Sequence, residues 1–352
     1  NYNYKSRYYF TFTGRYDGSS NFAENNKWGF FPSAAVKWNA KNENFLKQVR
    51  WLDELSLRLS AGRTGNDAIA TYRSLEAYGT TTNGYLFGGT QSASFFPSRV
   101  ANPNLTWEKT TLYNAGLDFS AFDGRLNITV DGYYSTTRDL LLSLQTIHTT
   151  GYTSRFTNLG KTSNRGVEVS VESRNIVKPK FGWTTSFTLS HNKNKIVKLD
   201  GEQTQIISGS QIHMIGKSYR TFYMIEFAGI NPETGAPQFY TNDVDENGNY
   251  IKEITENNKD AKAIPLKKHA EPNVTGGLSN TLRYKWFDLS FMFSYQFGAY
   301  GYDNWAQKTE HGGKDFTLNI PAYYRDNWKQ PGDISKYEVF IEKPAVAMNG
   351  VT

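Results

Sequence analysis

Cysteine is absent from the chain, which rules out disulfides, thiol nucleophiles and Cys-type metal sites. No apolar run approaches the ~18 residues that a membrane helix needs, so the chain is not a helical membrane protein. No basic, apolar leader precedes Asn1-Tyr2-Asn3-Tyr4, which already reads as strand, so the expectation is a fragment or a processed product. Catalytic signatures are missing too. The histidines His148, His191, His213, His269 and His311 lie far apart and form no H-E-x-x-H. There is no G-x-S-x-G elbow. Gly216-Lys217-Ser218 has the tail of a phosphate-binding loop, but Gln211 occupies the position of its required earlier glycine. The reading is therefore not an enzyme and no cofactor.

Aliphatic excess is low as well. Hydrophobic residues make up 38% of 352 residues and the mean hydropathy is −0.60. Aromatics, by contrast, reach 15%, with 23 Tyr, 23 Phe and 8 Trp. Aromatic girdles around an apolar band with a polar interior fit that balance, and so does a soluble β-sandwich. The net charge of +6 would indicate an anionic partner if the basic residues clustered. Along the sequence they are spread among Asp and Glu, which reads as a solvated polar lining and no nucleic-acid patch.

Period-two alternation supplies the elements. Tyr8, Phe10, Phe12, Gly14 and Tyr16 share one face; Phe30, Pro32, Ala34, Val36 and Trp38 share another. Pro32 is tolerable only near a strand end. Leu55 to Ala61 alternates with Glu54, Ser56, Arg58 and Ser60. Three runs follow: Tyr113 to Phe119, Leu126 to Tyr134 and Val167 to Val171, with Asn114, Asp118, Asn127, Asp131, Glu168 and Glu172 on the opposite faces. Trp183 to Leu189 is a further strand, and Thr275 to Tyr284 with Asp288 to Phe297 form a hairpin over a short turn.

That makes nine strands, each of roughly the ~9–11 residues that cross a membrane when tilted. The Phe122-Asp123-Gly124-Arg125 turn between two of them is a strong hairpin signal. Short turns at one end and long loops at the other are the plan of a transmembrane β-barrel. An odd count with an open edge leaves backbone groups unpaired in lipid, so these residues are expected to be part of a barrel. Residues 1–298 read as barrel strands with long extracellular loops at 63–106, 139–160 and 192–272, and 299–352 as a further extracellular loop region.

The loops hold the binding candidates. Tyr72, Tyr78, Tyr85, Phe87, Phe95 and Phe96 lie in the first long loop, and Tyr219, Phe222 and Tyr223 in the third. Such rings stack on sugars and peptides alike, or on each other. Asp243-x-Asp245-x-Asn247-Gly248 resembles the start of a calcium loop, yet Ile254 stands where the bidentate Glu belongs, so an ordinary Asn-Gly turn is the default.

Several motifs together carry a family resemblance. Asn-Pro-Asn-Leu-Thr-Trp-Glu-Lys (Asn102 to Lys109), Gly116-Leu117-Asp118-Phe119 and Tyr133-Tyr134 resemble the SusC/RagA family of TonB-dependent outer-membrane transporters of Bacteroidota. So do Phe31-Pro32-Ser33-Ala34 with Trp38, Ser60-Ala61-Gly62 with Gly65-Asn66, and Thr137-Arg138-Asp139-Leu140-Leu141. Asn158-Leu159-Gly160-Lys161, Asn164-Arg165-Gly166-Val167-Glu168, Gly229-Ile230-Asn231-Pro232-Glu233-Thr234-Gly235 and Gly276-Gly277-Leu278-Ser279-Asn280 complete the series.

The resemblance implies a plugged barrel of about 22 strands in the bacterial outer membrane. It also implies active import of a large nutrient, an oligosaccharide first and a peptide second. A SusD-like lipoprotein would deliver the ligand, and the TonB-ExbB-ExbD complex would act through regions other than these residues. The ending Asn349-Gly350-Val351-Thr352 lacks the terminal aromatic strand of such barrels. A passive porin and a soluble extracellular glycan-binding β-protein are the competing readings.

Overall fold

The structure, a computed structural model, describes residues 1–333 apart from 82–83, 85, 146–147, 153, 200–202, 310–316, 320 and 324–328. Contacts divide the chain into two units, residues 1–203 with 278–291, and 204–277 with 292–352. A ten-stranded antiparallel sheet dominates the first: β1 (Tyr2–Tyr4), β2 (Tyr8–Gly18), β3 (Trp28–Asn39), β4 (Leu52–Asn66), β5 (Glu108–Ala121), β6 (Leu126–Gln145), β7 (Ser154–Lys178), β8 (Phe181–Lys198), β9 (Val274–Tyr284) and β10 (Phe287–Phe297). Every strand pairs with its neighbours in the chain, so the sheet is a meander. The nine strands expected from alternation are all present, and Tyr2–Tyr4 adds a tenth.

One end of the sheet carries the tight turns Lys5 to Arg7, Phe122 to Arg125, Pro179 to Lys180 and Lys285 to Trp286, together with the longer connection Ala40 to Trp51. Phe122, Asp123 and Gly124 all adopt left-handed φ, and the Asp53 carboxylate accepts the Gly124 N–H at 2.9 Å. Pro32 lies opposite Gly14 on β2, and the pairing of β3 with β4 begins only at Ser33. Its missing N–H therefore falls where β3 has no registered partner on that side.

The two faces of the sheet differ in chemistry. Leu57, Leu59 and Ala61 stand directly opposite Leu117, Ala115 and Tyr113, which face Val130, Gly132 and Tyr134 in turn. This face is uncovered: Phe12 is 71% exposed, Leu59 62% and Phe293 59%. A soluble β-protein would bury Leu57, Leu59, Phe291 and Phe293 in a core, and all four are exposed. Contiguous apolar surface on this scale marks a lipid-facing wall. The opposite face carries ion pairs. Arg58 donates to Asp118 at 2.8 Å and to Asp131 at 3.0 Å, and Lys37 bonds Glu54 at 2.9 Å.

The expected loop boundaries need correction. Residues 139–160 are mostly strand, because Asp139 and Gly160, both at left-handed φ, absorb an irregularity and the ladder resumes at Leu140↔Leu159 and runs to Gln145↔Ser154. The 63–106 stretch begins as β4 and then folds into two small hairpins, Ala77–Thr81 with Ser94–Arg99 and Leu86–Phe87 with Thr90–Gln91.

Residues 192–272 begin inside β8, and the second unit is a folded insertion. It holds a four-stranded sheet of Gln205–Ser208, Gln211–Met214, Thr221–Met224 and Ile264–His269, and a three-stranded one of Phe227–Ile230, Pro237–Tyr240 and Ile254–Thr255. Ile212, Phe222, Phe227 and Ile264 are buried there. In 299–352 the described residues include a short helix, Asn304–Thr309. Tyr85, His311 and the Asn349 to Thr352 ending lie outside the described residues.

Candidate functional site

At the long-connection end of the sheet, Asn102 to Lys109 ties the loops to one another. Leu105 is fully buried and clusters with Phe22, Phe31 and Trp107, against which Ile69, Leu141 and Phe156 pack. The Trp107 ring meets Phe31 edge-on at 5.3 Å, and its indole N–H donates to Lys27 O at 3.1 Å.

Asn158 works as a two-sided clamp. Its Oδ1 accepts from Thr106 N at 2.8 Å, while its Nδ2 donates to Thr106 O at 2.7 Å and Asp139 O at 2.9 Å. The Asn102 side chain donates to Phe156 O at 2.8 Å, and Asn26 to Pro103 O at 3.2 Å. Ser19 Oγ donates to Asp67 Oδ2 at 2.6 Å. Buried loop backbone must find such partners, and asparagines supply donor and acceptor together. The motif signalled a family in the sequence; its physical work is to fasten the 19–27 and 67–107 connections to each other and to the wall strands β6 and β7.

Next to this cluster, on the polar face of the sheet, lies a recess of about 650 Å³. Thr11, Thr13, Ser33, Ser60, Thr64 and Thr110 give it a lining of hydroxyls, with Arg15, Asp17 and Phe31 among its walls. Arg15 donates to Asp17 at 2.7 Å. The lining is mixed: these hydroxyls and the Arg15–Asp17 pair stand among Ala35, Gly62, Leu112 and Phe31, so both polar groups and apolar surface face the recess. The recess was not among the expected sites, because each of its residues reads in sequence only as the polar half of an alternating strand.

The aromatic candidates occupy different settings. Tyr72, at left-handed φ, is 68% exposed. Tyr78, Phe95 and Phe96 sit on the hairpin of Ala77–Thr81 with Ser94–Arg99 and are exposed, the Phe96 ring covering Gly79. Phe87 is in the small strand Leu86–Phe87. In the second unit Tyr219 is exposed and stacks on His213 at 4.6 Å. Tyr223 is half-buried, and Phe222, only 5% exposed, belongs to the interior of the four-stranded sheet. Burial takes Phe222 out of reach of a ligand.

Asp243, Asp245 and Asn247 form a small hairpin, Asp243–Val244 pairing with Tyr250–Ile251. Asp243 bonds Lys262 at 2.5 Å. Asp245 accepts from the N–H groups of Asn249 and Asn247 at 2.7 and 2.9 Å, and from the Asn249 side chain at 3.2 Å. These bonds, the Asn249 N–H first, hold its carboxyl below the usual carboxylate range. Its oxygens are spent on the turn. Among the described residues there is no group of three or more His, Cys, Asp or Glu placed to hold a metal ion.

A family profile described as TonB dependent receptor-like, beta-barrel matches residues 1–329. TonB-dependent receptor P3 of Formosa agariphila is 37% identical over 312 residues, which cover 85% of this chain and 31% of that protein. TonB-dependent receptor SusC of Bacteroides thetaiotaomicron is 36% identical over 319 residues, covering 86% of this chain and 31% of its own. Among solved structures, the RagAB peptide transporter aligns with a TM-score of 0.82 at 29% identity, over 94% of this chain and 36% of its own. The RagAB peptide importer in its closed-closed state gives 0.82 at 30%, over 93% and 36%. The chain thus spans about a third of the length of the curated relatives it matches.

Proposed function

The chain belongs to the TonB-dependent receptor β-barrel family of SusC/RagA type, in the bacterial outer membrane, and from that premise we propose that the whole receptor imports a large oligosaccharide. Residues 1–298 supply barrel wall and extracellular loops, and 299–352 a further extracellular connection. A SusD-like lipoprotein is the partner over the loops, and TonB, with ExbB and ExbD, drives release through parts of the receptor other than this chain. The family consists of transporters, so these residues bind and line a path, and make or break no bonds.

The hydroxyl-lined recess beneath the tied loops carries the choice of ligand. An oligosaccharide finds matching donors and acceptors there; the C=O and N–H groups of a peptide engage hydroxyls too, so the titration below decides between the two. The exposed rings of Tyr72, Tyr78, Phe95 and Phe96 on the first long connection are the further stacking surfaces in this reading.

Calorimetric titration of the full receptor, with its lipoprotein, against neutral oligosaccharides and against oligopeptides tests the reading. Oligosaccharide binding is expected to weaken about fivefold for Phe95→Ala, on the scale of one lost ring contact of about 1 kcal/mol. Binding of peptides with none of sugars would overturn the substrate class and leave the family assignment standing. RagAB, whose solved structures are those of a peptide transporter, makes that the outcome to watch for.

A further inference from the structure

Cations that are scattered in the sequence are gathered by the fold on the lipid-facing side of the wall. Lys109, Arg138 and Lys161 stand directly opposite one another on β5, β6 and β7. Arg165 and Lys193 form a second like-charge pair across β7 and β8, and Lys195, opposite Ser163, extends the group. Strand neighbours lie ~4.8 Å apart, so the row of three spans roughly 10 Å. Like charges directly opposite one another on a sheet are destabilising. Lys109 approaches Asp139 at 3.9 Å. Among the described residues, no carboxylate pairs with Arg138, Lys161, Arg165, Lys193 or Lys195. On the polar face, by contrast, Lys37, Arg58 and Arg15 all have carboxylate partners.

Position narrows the choice of anion. These residues share a face with Val130, Gly132 and Tyr134, the apolar outer side. A tilted strand crosses the hydrocarbon in about 9–11 residues, so β6, entering at Leu126, reaches Arg138 just past the outer edge of the apolar band. Beside the cations a shallow groove of about 720 Å³ is floored by Ala34, Ala61, Ala115 and Gly132 and flanked by Tyr113 and Tyr134. Charge above and an apolar trough below match a lipid with an anionic head group.

We propose that this belt is a binding site for the phosphate groups of a phosphorylated glucosamine lipid of the outer leaflet, of the lipid A class, with an acyl chain lying along the groove. The lipid supplies the negative charge that the opposed cations lack within the chain. The inference rests on the orientation proposed above, with the long connections outside the cell.

The test uses the full receptor in mixed micelles, with lipid A and its dephosphorylated form as probes and native mass spectrometry as the readout. Arg138→Gln/Arg165→Gln/Lys193→Gln removes three belt charges, and Lys178→Gln/Lys180→Gln/Lys285→Gln removes three at the short-turn end. The belt variant is expected to bind phosphorylated lipid A at least about tenfold more weakly. The turn-end variant should bind as the unaltered receptor does, and the dephosphorylated lipid should not distinguish them. Undiminished lipid A binding by the belt variant, or equal binding of both lipid forms by the unaltered receptor, overturns the proposal. Should the triple variant fail to fold, Lys193→Gln/Lys195→Gln alters one strand and asks the same question. Surface labelling of a Thr90→Cys receptor on intact cells keeps the two ideas apart: label at Thr90 with no phosphate-dependent binding refutes the belt alone, and absence of label refutes the orientation.

Discussion

Removing the Asn158 carboxamide strips bonds from both backbone groups of Thr106 and from Asp139 O. An unsatisfied buried group costs roughly 1–3 kcal/mol. Asn158→Ala is therefore expected to loosen the 67–107 connection while the wall holds, seen as faster amide exchange in that segment with little change in the strands. The second unit has a pH response of its own. Burial pushes the His213 imidazole below its ordinary value of 6.5. A folded value below the unfolded one means that its stabilisation is fully present above about pH 6.5 and is lost as pH falls through the folded value. The protection factors of residues 204–277, which are corrected for the intrinsic slowing of exchange with falling pH, should drop between pH 7 and 5, and His213→Phe should flatten that dependence. At this scale the sequence marked Trp107 and Asn158 through a motif, but not their contacts. Phe222 looked like its loop neighbours because burial inside a small sheet leaves no local signature.

Strand elements depend on a glycine where the polar face is most crowded. Gly116 on β5 lies directly opposite Arg58 on β4 and Asp131 on β6, and a Cβ there would come within 2.5 Å of Asp131 Oδ1 and 2.6 Å of Arg58 Nη2. The guanidinium crosses β5 over that gap to join Asp118 and Asp131. Gly116→Val is expected to break the bridge to Asp131, at roughly 1–3 kcal/mol. A lowered temperature for loss of the compact band on unboiled gels would record it, and Gly132→Ala, whose site on the other face is roomier, should have a smaller effect. Alternation made the long strands legible, since a half-buried strand writes its two environments into odd and even positions. It failed past Asp139, where Leu140, Leu141 and Leu142 are apolar in succession and show no two-residue period while the ladder continues in the same register, and at Tyr2–Tyr4, which is too short to show a period. The recess was illegible for a related reason: its residues come from neighbouring strands and meet only through register.

For the molecule as a whole, the wall turns its apolar face to lipid, and in the orientation proposed above its long connections face the outside and its tight turns the periplasm. The two-sided chemistry of the sheet and the tight turns gathered at one end support it together. Cysteine-free composition makes the direct test clean, because a single introduced thiol is the only one in the chain. Thr90→Cys sits on an exposed hairpin at the long-connection end and Lys180→Cys on a turn at the other. With a membrane-impermeant maleimide on intact cells, labelling of Thr90→Cys is expected and none of Lys180→Cys until the outer membrane is permeabilised. Labelling of Lys180→Cys on intact cells, with Thr90→Cys protected, would contradict it.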